Sequence, residues 1–156
     1  HSDHEPAGRL LVVVLGDNII EGNIRRAVGE FFAQGKGAKI LLKEVPDPQR
    51  FGVAEVDANG KVTNIVEKPK VPRSNLAVIG VYMYDNTVYD IIQTLKPSAR
   101  GELEITDVNN AFLRAGRLSA DIIDGWWTDA GTFPSLYRAT RLVAEKVDPH
   151  LRDHWD

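Results

Sequence analysis

Six consecutive apolar residues, Leu10–Leu15, run straight into Gly16-Asp17-Asn18. A stretch that is apolar at every position has no polar face to offer to water. It predicts a buried strand covered on both faces, as in the sheets of α/β proteins. Six residues are far too few to cross a bilayer, which takes about 20. The polar stretch 1–9 ahead of it, which begins with His1 and not Met, is expected to be a leader outside the fold. A buried strand so near the start predicts that sequence ahead of it is missing and that the sheet is incomplete.

The rest of the chain alternates between the periods of strand and helix. Ile24, Val28, Phe31 and Phe32 make one helical face over residues 23–33. Ala38–Val45 reads as a strand closed by Pro46-Asp47-Pro48. Phe51–Val56 and Lys61–Glu67 flank Asn59-Gly60, a strong hairpin signal. Leu76–Tyr84 is a further strand, and Val88, Ile91, Ile92 and Leu95 stripe a helix that Pro97 ends. Ile105–Ala115 is helical and stops at Gly116, and Leu118–Ile123 is the last strand. Thr132 is placed to cap a helix carrying Phe133, Leu136, Tyr137, Thr140 and Val143. Strands interleaved with helices predict an α/β layered fold on a mixed, mostly parallel sheet with an embedded hairpin. Residues 10–147 form its body, and 148–156 read as a tail.

Composition narrows the chemistry. The 156 residues contain no Cys, which excludes disulfides, thiolate zinc sites, iron–sulfur clusters and cysteine nucleophiles. The four His lie at positions 1, 4, 150 and 154, at the two ends, which argues against zinc. A net charge of −3 carries no basic footprint for nucleic acid, and no stretch suits a membrane. A cytoplasmic location is expected. Neither a G-x-G-x-x-G nor a Walker A loop occurs, and no His stands beside a candidate Ser nucleophile.

In open α/β sheets ligands sit beyond the carboxyl ends of strands. That rule selects Asp17, just after the first strand, and Asp129, in Trp126-Trp127-Thr128-Asp129-Ala130-Gly131. Each also suits an ordinary turn or strand-to-helix loop. Two carboxylates could hold one Mg²⁺, which takes one or two carboxylates plus phosphate oxygens. For Glu67-Lys68-Pro69-Lys70 a solvated charged strand edge is the commoner explanation; the functional alternative offers Lys68 to a phosphate and Glu67 to sugar hydroxyls. Glu102 and Glu104 complement the start of the following helix, whereas Arg100 does not.

Taken in order, Val13–Asn18, Arg50–Ala54, Val66–Lys70, Ser74–Tyr82, Arg100–Asp107 and Gly125–Gly131 resemble the sugar-nucleotide pyrophosphorylases, most closely the glucose-1-phosphate thymidylyltransferases. The Phe51-Gly52 and Trp126-Trp127 forms look like the longer members of that group. The resemblance implies a Rossmann-like nucleotidyltransferase fold and the Mg²⁺-dependent joining of a sugar 1-phosphate to dTTP with release of pyrophosphate. It implies that Asp17 and Asp129 bind the metal, and that Lys68 and Arg100 hold the sugar phosphate. Gly52, Glu67 and the backbone around Val78 would contact the hexose, with Tyr82 close to the phosphates and Glu104 also binding substrate. The family's Gly-rich nucleotide loop is absent from these residues, so the chain is expected to be the sugar-binding part and inactive alone. Competing readings are a pyrophosphorylase using another nucleoside triphosphate, a non-catalytic sugar-phosphate-binding or regulatory module, and an oligomerising remnant. Exposed backbone along Leu10–Leu15 predicts self-association into a homo-oligomer.

Overall fold

The computed structural model of the chain describes residues 8–98 and 101–147. In chain order the elements are β1 (Leu10–Val14), β2 (Asn18–Ile20), α1 (Arg25–Gln34), β3 (Ala38–Glu44), a 3-10 turn (Pro48–Arg50), β4 (Gly52–Val56), β5 (Val62–Glu67), β6 (Leu76–Asp85), α2 (Val88–Thr94), α3 (Ile105–Arg114), β7 (Leu118–Ile122), β8 (Trp127–Asp129) and α4 (Phe133–Val147). They fall into two units. The first comprises the residues up to Val14 together with Ile24–Ile123; the second comprises Leu15–Asn23 and the residues from Asp124 onward.

The first unit is organised around β6, whose ten residues are almost all apolar. Its length lets one edge carry two partners: β4 beside its start, with Val53 opposite Ala77, and β1 beside its end, with Leu10 opposite Asp85 and Val14 opposite Val81. The other edge takes β3, and the sheet runs β5-β4-β6-β3-β7. The sheet is mixed, as expected, but its parallel share is smaller than expected. Only β3 and β7 pair in parallel among the described residues; the other ladders are antiparallel. The reason lies in the strand order: β4 lies between β5 and β6, and β6 between β4 and β3, so strands that run the same way are separated by one running the other way.

Strand β3 is buried from Ala38 through Leu42, so both of its faces are covered. On one face Ile40, Leu42, Ala54, Ile65, Val78 and Tyr84 pack with Val108 and Phe112 of α3. The Tyr84 ring stacks on Phe112 at 5.5 Å between centroids, and its hydroxyl donates to Asn109 Oδ1 at 2.6 Å. Burial, and secondarily the neighbouring Tyr82, pushes the Tyr84 hydroxyl above its ordinary range, which keeps it a donor. On the other face the buried Lys39 ammonium sits between Glu30 of α1 at 2.7 Å and Asp121 of β7 at 2.8 Å. That arrangement ties helix to sheet, since a buried ammonium is tolerated only when paired.

Two expectations about apolar faces are corrected. Leu10–Leu15 is not a fully buried strand: β1 stops at Val14, which is 54% exposed, because β6 is its single strand neighbour among the described residues. In α1 the buried residues are Ala27 and Phe31, while Phe32 is exposed, since neighbouring positions on a helix point about 100° apart. The Asn59-Gly60 hairpin forms as read. Gly60 takes the left-handed φ of +78°, and Asp57 Oδ1 accepts from the Asn59 and Lys61 amides at 2.9 and 3.0 Å.

The second unit joins distant segments. β2 and β8 form an antiparallel ladder with Asn18 opposite Asp129 and Ile20 opposite Trp127. Neither strand is announced by the sequence, because three residues are too few to show a period. Helix α4 is closed at its start by reciprocal bonds: the Thr132 amide donates to Ser135 Oγ at 3.0 Å, and the Ser135 amide to Thr132 Oγ1 at 3.3 Å. Its buried residues are Ser135 and Ala139, and Phe133, Leu136, Tyr137 and Val143 are exposed.

Candidate functional site

In the first unit, the start of β4, the end of β5, the start of β6 and the first turn of α3 bring four groups together. Gly52 stands opposite Glu67 in the β4–β5 ladder. A Cβ at Gly52 would lie 3.2 Å from Thr106 Oγ1, 3.3 Å from Glu67 Oε2 and 3.8 Å from Val78 Cβ. A carboxylate, a hydroxyl and an apolar side chain therefore close around the bare α-carbon. Thr106, itself buried, donates to Glu67 Oε2 at 2.7 Å and fixes the carboxylate. Glu67 Oε1 lies 3.9 Å from the half-exposed Lys68 ammonium. A fixed carboxylate acceptor beside a half-exposed cation suits a ligand carrying hydroxyls and an anionic group.

The remaining expected residues are distributed as follows. Tyr82 lies further along β6 in the core, 4% exposed, its ring stacked on Tyr84 at 6.2 Å. Glu104 caps the approach to α3, and its Oε1 accepts from Ser98 Oγ at 3.0 Å. Arg100, the segment 1–7 and the tail 148–156 lie outside the described residues. Thr106 was missed as a site residue. Its signal was its place in the first turn of a helix whose apolar face already pointed at the sheet.

In the second unit the β2–β8 ladder brings Asp17 and Asp129 together. The Ala130 amide donates to the Asp17 carbonyl at 2.7 Å, extending the ladder past Asn18. A Cβ at Gly131 would stand 3.1 Å from Asp17 Oδ2 and 3.8 Å from Asp129 Oδ2. Two carboxylate oxygens thus flank one small space that glycine keeps open. Asn18 Nδ2 donates to Asp17 Oδ1 at 2.8 Å, and Trp127 Nε1 donates to Asn18 Oδ1 at 2.8 Å. These bonds hold Asp17 by one oxygen and leave the other facing the space. Hard oxygen donors, two carboxylates and an open side fit Mg²⁺, which completes its shell with water and phosphate. No cluster of three or more His, Cys, Asp or Glu suited to a metal occurs among the described residues.

The first unit thus gathers polar groups around Gly52, and the second sets two carboxylates beside Gly131. Residues 2–146 match the nucleotidyl transferase family, and the chain belongs to it. Over 143 residues it is 46% identical to the glucose-1-phosphate thymidylyltransferase of Xanthomonas campestris pv. campestris, covering 87% of this chain and 47% of that one. It is 44% identical over 135 residues to the low-salt glycan biosynthesis nucleotidyltransferase Agl11 of Haloferax volcanii, covering 86% of this chain and 38% of the relative. A Bacillus anthracis crystal structure of the glucose-1-phosphate thymidylyltransferase type superposes with a TM-score of 0.81 at 54% identity, over 86% of this chain and 55% of that one. A UDP-glucose pyrophosphorylase, 23% identical, shares the fold with a TM-score of 0.77 over 89% of this chain and 57% of that one. The chain spans less than half the length of these two curated relatives. No helix among the described residues is long and apolar enough to cross a membrane.

Proposed function

We propose that this chain supplies the sugar-binding chemistry of a glucose-1-phosphate thymidylyltransferase. In that reaction a phosphate oxygen of the sugar 1-phosphate attacks the α-phosphorus of dTTP, a new P–O bond forms, and pyrophosphate leaves. The observation that carries the reading is the cluster at Gly52, with Glu67 fixed by Thr106 and Lys68 beside it. Glu67 accepts hydrogen bonds from hexose hydroxyls, Val78 packs against the ring, and Lys68 neutralises the sugar phosphate. Arg100 is assigned to the same phosphate by resemblance. Asp17 and Asp129 would hold Mg²⁺, which when bound spreads the negative charge that two polyanions bring together. The relatives named as thymidylyltransferases favour the thymidine nucleotide.

Titration with glucose 1-phosphate tests the reading, with glucose and inorganic phosphate as controls. Glucose 1-phosphate is expected to bind well above either control and to lose about tenfold or more in Lys68→Ala and Glu67→Gln, as charge-assisted contacts of this kind do. Equal binding of all three ligands, or indifference to both substitutions, would overturn it. A sugar-phosphate-binding module without transfer would bind equally well but release no pyrophosphate from dTTP when joined to the remaining part of a relative.

A further inference from the structure

Lys68 is the single non-glycine residue with positive φ among the described residues, at +42°. That conformation runs against its residue type and against the proline that follows, since a residue before proline is driven toward extended backbone. Such a conformation persists only where the surroundings over-determine it. The contact that meets this backbone is the Lys68 amide donating to the Phe51 carbonyl at 3.0 Å.

Phe51 leaves the 3-10 turn Pro48–Arg50, its own amide donating to the Pro48 carbonyl at 3.0 Å. Arg50 straddles that turn. Its Nη1 donates to Asp47 Oδ2 at 2.8 Å, before the turn, and its guanidinium lies 5.1 Å from the centre of the Phe51 ring, after it. A planar cation held by a carboxylate at one end and an aromatic face at the other cannot rotate freely. The direction of the Phe51 carbonyl is thereby fixed, and with it the bond that holds Lys68.

We infer that Arg50 is a positioning residue: by clamping Phe51 it keeps Lys68 in its left-handed conformation and so aims the ammonium at the anionic group of the ligand. The inference rests on the proposed role of Lys68 toward a sugar phosphate and adds a residue to it. Arg50 acts through Lys68 and not through Glu67, because Glu67 is fixed separately by Thr106. Removing Arg50 should therefore weaken recognition of the phosphate and leave recognition of the hydroxyls.

The test is a double-mutant cycle read with two ligands, together with amide hydrogen exchange. Arg50→Ala should weaken glucose 1-phosphate binding by about 5–20-fold, within the coupling range of neighbouring residues, and change glucose binding by less than about twofold. In the Lys68→Ala background the same substitution should cost nothing further. In Arg50→Ala without ligand, the Lys68 amide should exchange at least about tenfold faster, with the Val66 amide unchanged. Arg50→Lys, which keeps the charge but not the planar stacking, should fall between. Additive losses would mean that Arg50 touches the phosphate directly, and would overturn the inference. So would an unchanged Lys68 exchange rate, or equal losses for glucose and glucose 1-phosphate. If Lys68→Ala binds glucose 1-phosphate normally, the sugar-phosphate reading itself falls, and the exchange data separately decide whether Arg50 holds Lys68.

Discussion

Trp127 donates its indole N–H to the side-chain oxygen of Asn18 at 2.8 Å, across 109 positions of sequence. Asn18 in turn donates to Asp17 at 2.8 Å, so a tryptophan in one strand orients a carboxylate just before another. Replacing Trp127 by Phe keeps most of the ring and removes the donor. The expected cost is about 1 kcal/mol of stability, the usual net worth of such a bond. Divalent-cation affinity should fall as Asp17 loosens. Denaturant unfolding and a Mn²⁺ titration followed by electron paramagnetic resonance read the two effects separately.

Gly131 sits where any side chain would crowd both carboxylates, its Cβ position being 3.1 Å from Asp17 Oδ2. Gly131→Ala should therefore reduce Mn²⁺ binding to the level of Asp17→Asn or Asp129→Asn. Unaltered binding in Gly131→Ala would remove the space between the two aspartates from consideration as a cation site.

Thr106 holds Glu67 through its hydroxyl. Thr106→Ser keeps the donor and should leave sugar 1-phosphate binding within about twofold, whereas Thr106→Val removes the donor that fixes the partly buried Glu67 carboxylate and should weaken binding by about tenfold or more. Calorimetric titration distinguishes them. Equal behaviour of the two variants would show that the methyl group and not the hydroxyl matters.

Asp85 gives a pH signature. Burial raises its pKa, but hydrogen bonds from the Thr87 hydroxyl and the Gly37 and Thr87 amides, with Arg117 nearby, outweigh that and hold it below the ordinary value of 3.8. A depressed folded pKa gives stability that is fully present above the unfolded value and is lost as pH falls through the folded one. Asp85→Asn should cost about 2 kcal/mol at pH 7, the scale of a charge-assisted bond, and the gap should close below about pH 4. Urea midpoints measured across that range give the comparison.

Among the described residues β1 has a strand on one edge only, and its other edge should make the chain self-associate. Leu10–Val14 carries no charge or proline, the devices that normally blunt an edge, and Val12, Val13 and Val14 are exposed. The edge strand β5 is treated differently: Asn110 Oδ1 accepts from the Ile65 amide at 3.2 Å, and its Nδ2 donates to the Ile65 carbonyl at 2.7 Å. Sedimentation velocity should show concentration-dependent association that Val13→Lys reduces. A monomer at all concentrations would count against it.

The sequence made the long elements legible because their periods are long enough to read. The helices, the Asn59-Gly60 hairpin and the strands β3 to β7 all lie where apolar spacing and turn residues put them. Strand direction was less legible: whether Leu76–Asp85 runs parallel to its neighbours depends on which strands come to lie beside it, and β1, β3 and β4 are all distant in sequence. The ladder β2–β8 was illegible, since nothing local to Asn18–Ile20 announces Trp127–Asp129 as its partner. At the candidate site, Gly52, Glu67, Lys68 and the two aspartates could be named from motifs and strand ends. Thr106 could not, because its role consists of a hydrogen bond to a residue 39 positions away.

The second unit is woven from two strips, Leu15–Asn23 and the residues from Asp124 onward, with Ile24–Ile123 intervening. A ladder between strips so far apart has a steep entropic cost of closure in a disordered chain. Folding of the intervening residues lowers that cost by limiting how far the two ends can wander. The carboxylate pair Asp17 and Asp129 is therefore expected to assemble after the sheet around β6. Ribosomal synthesis imposes the same order, because Asp129 emerges only when nearly all of the first unit is already outside.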